Sequence, residues 1–160
     1  MVDLQTLQRF PYFADLDTES LRHVSMITEL KSVPAGTQMF TEGDDADFLY
    51  VIVRGHVEIA YPLGSDTRLN IQTLSSGDLL VWSAILEPHL ATSTGTTTEE
   101  TSLLAIDAKK LRDLFEVDPL LAHALTHQVA KMLAERLALA RSKFATLLET
   151  LGEVLEESRV

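Results

Sequence analysis

His123 and His127 stand four residues apart, the spacing that places two imidazoles on one face of a helix, within reach of a shared metal ion. Only Ala124, Leu125 and Thr126 lie between them, so the glutamate that a helical zinc hydrolase uses as its base is missing, and no third ligand is near in sequence. A solvated helical face accounts for the pair. His56 and Glu58 alternate onto one side of an extended run, which is half of a β-barrel metal site without its second histidine. His89 follows Glu87-Pro88 in a loop, where solvent exposure is expected; protonated, it would attract an anion. Thr94-Gly95-Thr96-Thr97-Thr98 reads as a polar strand and turn rather than a threonine nucleophile. The sequence has no cysteine, which removes thiolate catalysis, disulfides and Cys-ligated zinc or iron–sulfur centres together. It also lacks a nucleophile elbow, a lysine-bearing phosphate loop and a dinucleotide fingerprint. No catalytic residue, metal or cofactor is expected. One gap is informative by itself: between Arg68 and Lys109 there is neither Arg nor Lys.

The elements that must position these groups follow from periodicity. The 160 residues, 46% of them hydrophobic, are enough to close one core, and a single domain over 1–160 is expected. Its formal charge of −11, with no local Lys/Arg cluster, repels a phosphate backbone, so direct nucleic-acid binding is not expected. The polar start Met1-Val2-Asp3-Leu4-Gln5 and the lack of a long apolar run predict a cytoplasmic protein with no membrane segment. Residues 2–28 predict two short helices joined by a turn at Pro11, with Asp17-Thr18-Glu19-Ser20 capping the second. Residues 29–107 change to short β-rich runs broken by turn residues. Within them, Phe48 to Val53 and His56 to Tyr61, joined at Arg54-Gly55, predict a hairpin. Residues 108–158 return to helical period, with one helix from Ala108 to Val117 and a longer one opened by Asp118-Pro119. In the long helix Leu133, Leu137, Ala140, Phe144, Leu147, Leu151 and Val154 follow alternating steps of four and three, a coiled-coil seam that calls for a partner helix. Gly152 weakens the helical signal near its end.

Four successive stretches then align with one family. Val33-Pro34-Ala35-Gly36, Phe40-Thr41-Glu42-Gly43-Asp44, Phe48 through Ile59 with Arg54-Gly55 inside it, and Leu74-Ser75-Ser76-Gly77-Asp78 resemble, at the right spacing, the turn glycines of cyclic-nucleotide-binding domains of the catabolite-activator type. The resemblance runs from about Leu7 to Phe144. It implies an α+β fold: a jelly-roll-like β-roll of about eight strands, N-terminal helices, a short cassette helix and a long C-terminal dimerisation helix. In that family a phosphate-binding cassette, here residues 76–93, leads into a short helix whose amides meet a cyclic phosphate, with a Glu on the ribose and an Arg on the phosphate. Carried over residue by residue, the Glu position falls at Trp82 and the Arg position at Ala91. The hydroxyls of Thr92 and Ser93 and the helix start around Ser83 and Ala84 remain. An indole in the sugar position either fills it or stacks on a flat ligand. Arg136, with Leu137, aligns with the segment that closes over the base and could stack on a planar ligand.

The resulting expectation is a small-molecule-sensing regulatory domain, homodimeric through Leu133, Leu137, Ala140, Phe144, Leu147 and Leu151. Its candidate ligand residues are Val81, Trp82, Ser83, Ala84, Ala91, Thr92, Ser93 and Arg136; weak or no binding of cyclic AMP and cyclic GMP is expected, and the pocket either takes a non-standard small molecule or is vestigial. The alternative is a ligand-free dimerisation or protein-interaction scaffold. The acidic tail with Glu153, Glu156 and Glu157 carries no helix-turn-helix.

Overall fold

Short acidic side chains start the three longer helices. In the computed structural model, which describes residues 1–159, a five-residue α1 (Leu4–Gln8) precedes α2 (Thr18–Met26), where Asp17 accepts a hydrogen bond from the Ser20 amide at 2.7 Å. Asp107 caps α3 (Ala108–Val117) through the Lys110 amide at 2.9 Å. Asp118 accepts from the Leu121 amide at 3.0 Å and, with Pro119 in the first turn, opens α4 (Pro119–Glu157). Gly152 does not stop α4, which runs on to Glu157; one glycine weakens a helix by only about 1 kcal/mol relative to alanine. Among the described residues no helix is long and apolar enough to cross a membrane. The chain divides into two units, one ending at Leu125 and one beginning at Thr126.

Eight antiparallel strands lie in the first unit: β1 (Thr28–Val33), β2 (Gln38–Phe40), β3 (Phe48–Arg54), β4 (Val57–Leu63), β5 (Thr67–Leu74), β6 (Leu79–Leu80), β7 (Thr94–Thr97) and β8 (Thr101–Asp107). They form two four-stranded sheets, ordered β1-β8-β3-β6 and β2-β7-β4-β5. Ile52, Leu80 and Leu103 from the first sheet meet Val57, Ile59 and Leu74 from the second in one buried cluster. Leu49, Val51, Leu104 and Ile106 alternate onto the other face of the first sheet and are fully buried as well. A sheet covered on both sides reads as a continuous apolar run, which is why Phe48 to Val53 shows no polar alternation. This is the α+β roll implied by the sequence resemblance.

One expectation is corrected. Strands β3 and β4 do not form a hairpin: β3 pairs with β8 and β6, whereas β4 pairs with β5 and β7. Gly55, at φ +107°, carries the chain from one sheet to the other against the backbone of Thr101, so the two strands diverge instead of folding back on each other. The true hairpin is β4–β5.

Candidate functional site

The candidate cassette, residues 76–93, is held by backbone hydrogen bonds on both sides. On its leading side, the turn Ser75–Asp78 closes with the Ser75 amide donating to the Asp78 carboxylate at 2.8 Å. Gly77 N–H donates to Ile52 O at 2.8 Å, and the Ile52 amide donates to Asp78 O at 2.9 Å. The Tyr12 hydroxyl donates to the Gly77 carbonyl at 3.1 Å, so the N-terminal segment braces this turn. After β6 the chain turns through Val81 into a three-residue 3-10 helix, Trp82–Ala84. Val81 has φ 60° and ψ 48°, a left-handed conformation that a β-branched side chain avoids, at a cost of about 1–3 kcal/mol. The returning arm is zipped to the loop before β3: Gly43 N–H donates to Ala91 O, Ala91 N–H to Asp44 O and Ala46 N–H to His89 O, each at 2.8 Å.

These arms border a cavity of about 460 Å³ lined by Met39, Phe40, Asp44, Asp45, Ala46, Asp47, Phe48, Tyr50 and Val81. That volume suits a small molecule. Its rings and methionine are apolar, and its polar groups are three carboxylates and one phenol. Burial, and after it the Asp47 carboxylate, push the Tyr50 phenol above its ordinary value of 10.0, so near neutral pH it is a hydrogen-bond donor.

Of the residues singled out from the sequence, Val81 lines this cavity. Trp82 is half-buried on the 3-10 helix. Ser83 and Ala84 are buried, and the Ser83 hydroxyl has no hydrogen-bond partner among the described residues. Ala91 is buried with both of its backbone polar groups engaged, Ser93 is buried and Thr92 is exposed. Arg136 lies on α4 in the second unit. His56 pairs through Nδ1 with Glu99, and His123 and His127 are both exposed. Among the described residues, no group of three or more His, Asp or Glu side chains is arranged to hold a metal ion. The sequence reading missed Met39, Phe40, Tyr50 and the run Asp44–Asp47 as cavity walls. It also missed Arg112, whose Nη1 donates to the Ala84 carbonyl at 2.7 Å.

The sequence pattern of the cyclic nucleotide-binding domain matches residues 30–118, more than half of the chain. The chain belongs to the cyclic nucleotide-binding domain family. A CRP-like cAMP-activated global transcriptional regulator of Mycobacterium tuberculosis is 26% identical over 147 residues, which are 91% of this chain and 63% of that protein. An NTE family protein of the same organism is 26% identical over 129 residues, 81% of this chain and 21% of that protein. This chain therefore spans about a fifth of one of these relatives and less than two thirds of the other. A solved cyclic-nucleotide-binding-type protein of Geobacter metallireducens superposes with a TM-score of 0.77 at 28% identity, covering 86% of this chain and 99% of that one. In this chain the segment between β6 and β7 carries the 3-10 helix Trp82–Ala84.

Proposed function

We propose that this chain is a small-molecule-sensing regulatory domain of the cyclic nucleotide-binding fold, acting as a homodimer and binding cyclic AMP or cyclic GMP weakly or not at all. The single observation that carries this reading is Ala91. By the sequence resemblance it falls at the position of the family's phosphate-holding arginine; its methyl is buried, and its C=O and N–H are committed to Gly43 and Asp44 respectively. No Lys or Arg between Arg68 and Lys109 is available to replace it, and the cavity walls carry carboxylates instead. At the ribose position Trp82 offers one N–H and an apolar face in place of a carboxylate. Leaving a buried anion without its charged partner costs about 3–5 kcal/mol. At about 1.4 kcal/mol per tenfold, that moves a micromolar site toward millimolar.

In this reading the candidate contacts in the first unit are Val81, Trp82, Ser83, Ala84, Ala91, Thr92 and Ser93, and the chain over 1–160 acts as one regulatory module. Pairing runs through the α4 stripe of Leu133, Leu137, Ala140, Phe144, Leu147 and Leu151. Leu137, Phe144 and Leu147 support it, being 59%, 61% and 64% exposed in the single chain. The charge of −11 favours a role without direct nucleic-acid contact, and the composition suits the cytoplasm. Calorimetric titration with cyclic AMP and cyclic GMP tests the reading: dissociation constants of about 100 μM or weaker are expected, and low-micromolar binding of either nucleotide refutes it. The exposed α4 stripe also favours a second reading, a ligand-free dimerisation scaffold. Native mass spectrometry of the purified protein separates the two by whether a small molecule comes with it.

A further inference from the structure

The turn Val81–Ala84 carries two local penalties together. Val81 is held left-handed despite its branched Cβ, and the Ser83 hydroxyl is buried with no hydrogen-bond partner among the described residues. Relaxing Val81 to extended backbone would remove the first of these. The turn's own hydrogen bonds are few: Ala84 N–H to Val81 O at 2.9 Å, then Ile85 N–H to Trp82 O and Leu86 N–H to Ser83 O, both at 3.3 Å. The next carbonyl, that of Ala84, is taken by another element, the Arg112 guanidinium of α3, at 2.7 Å and partly buried.

We propose that Arg112 is a latch: a positioning residue that holds the cassette turn in its strained form and ties the state of that turn to α3. The helix is anchored to carry this load. Ala108 and Leu111 are fully buried, and the Ala108 amide donates to the Asp47 carbonyl at 2.9 Å. Asp47 and Val81 both line the cavity. Helix α3 thus grips one wall through its first amide and the cassette beside the other wall through Arg112. The latch concerns the turn itself, so it stands or falls separately from the reading of cyclic-nucleotide affinity.

Trp82 is the single tryptophan of the chain and sits on the turn, so its emission reports the latch directly. Arg112→Met keeps the apolar stem and removes every donor; Arg112→Lys keeps a charge and a smaller donor. In Arg112→Met the Ala84 and Leu86 amides are expected to exchange with solvent about tenfold faster than in the native protein, relative to the β3–β8 ladder amides. Acrylamide quenching of Trp82 rises with them, and Arg112→Lys falls between. The proposal is overturned if both variants leave Trp82 quenching and turn exchange within about twofold of the native protein, or if the ladder amides accelerate as much as the turn. Should Arg112→Met fail to fold, the lysine variant decides by the same ratio of turn to ladder exchange.

Discussion

Gly55 occupies a position that tolerates no side chain: at φ +107°, an added Cβ would lie 2.8 Å from the Cα of Thr101. Gly55→Ala is predicted to destabilise the fold by about 2–4 kcal/mol, from backbone strain and overpacking together. The measurement is a lower urea midpoint at unchanged slope; an unshifted midpoint contradicts the account. The glycine is visible in the sequence as a turn residue. What the turn joins is not, because pairing β3 with β8 rather than β4 is decided by residues about fifty positions away in the chain, such as Leu103 opposite Ile52. The same distinction runs through the candidate site. Trp82 and Ala91 can be picked out by counting from Gly77. The cavity walls could not be, since Asp44 and Tyr50 face the cassette only once residues 43–46 have zipped to 89–91. Arg112 carries no signal in sequence beyond being a polar residue beside the buried Leu111.

At the scale of elements, the helix starts were the most legible part of the fold, because an N-cap is a local device: Asp17, Asp107 and Asp118 each sit one residue before a helix and accept from its first turn. Asp118 does more. Its carboxylate accepts from the Ser20 hydroxyl of α2 at 2.5 Å, and this bond is the main reason its pKa lies below the ordinary 3.8, with backbone amides and His23 adding to the effect and burial opposing it. A carboxyl whose folded pKa is depressed adds stability above its unfolded pKa and loses it as pH falls through the folded value. The α2–α4 link is therefore complete near neutral pH and fades below pH 3.8. Ser20→Ala should raise the Asp118 pKa toward its ordinary value and flatten the acid limb of stability. Carboxyl-carbon NMR titration of Asp118 checks the first effect and denaturation between about pH 2 and 5 the second. An unmoved Asp118 titration would count against Ser20 as the cause.

For the whole molecule, the second unit taken alone presents an apolar stripe to solvent, with Leu151 and Val154 more than half exposed as well. Four–three spacing of such residues buries them against a like helix in a left-handed pair. Leu137→Glu together with Leu147→Glu is predicted to convert a dimer to a species near the chain mass of 17.7 kDa, read by light scattering after gel filtration, with the circular dichroism of the roll retained. A native protein already at that mass, or a double variant that stays paired, defeats the dimer reading. The order β1-β8-β3-β6 has a further consequence, for biosynthesis. The strand that belongs between β1 and β3 is the last to leave the ribosome, so a nascent chain shorter than about Asp107 holds two unsatisfied strand edges with a slot between them. Until translation delivers that final strand, the edges of β1 and β3 that flank the slot stay unpaired.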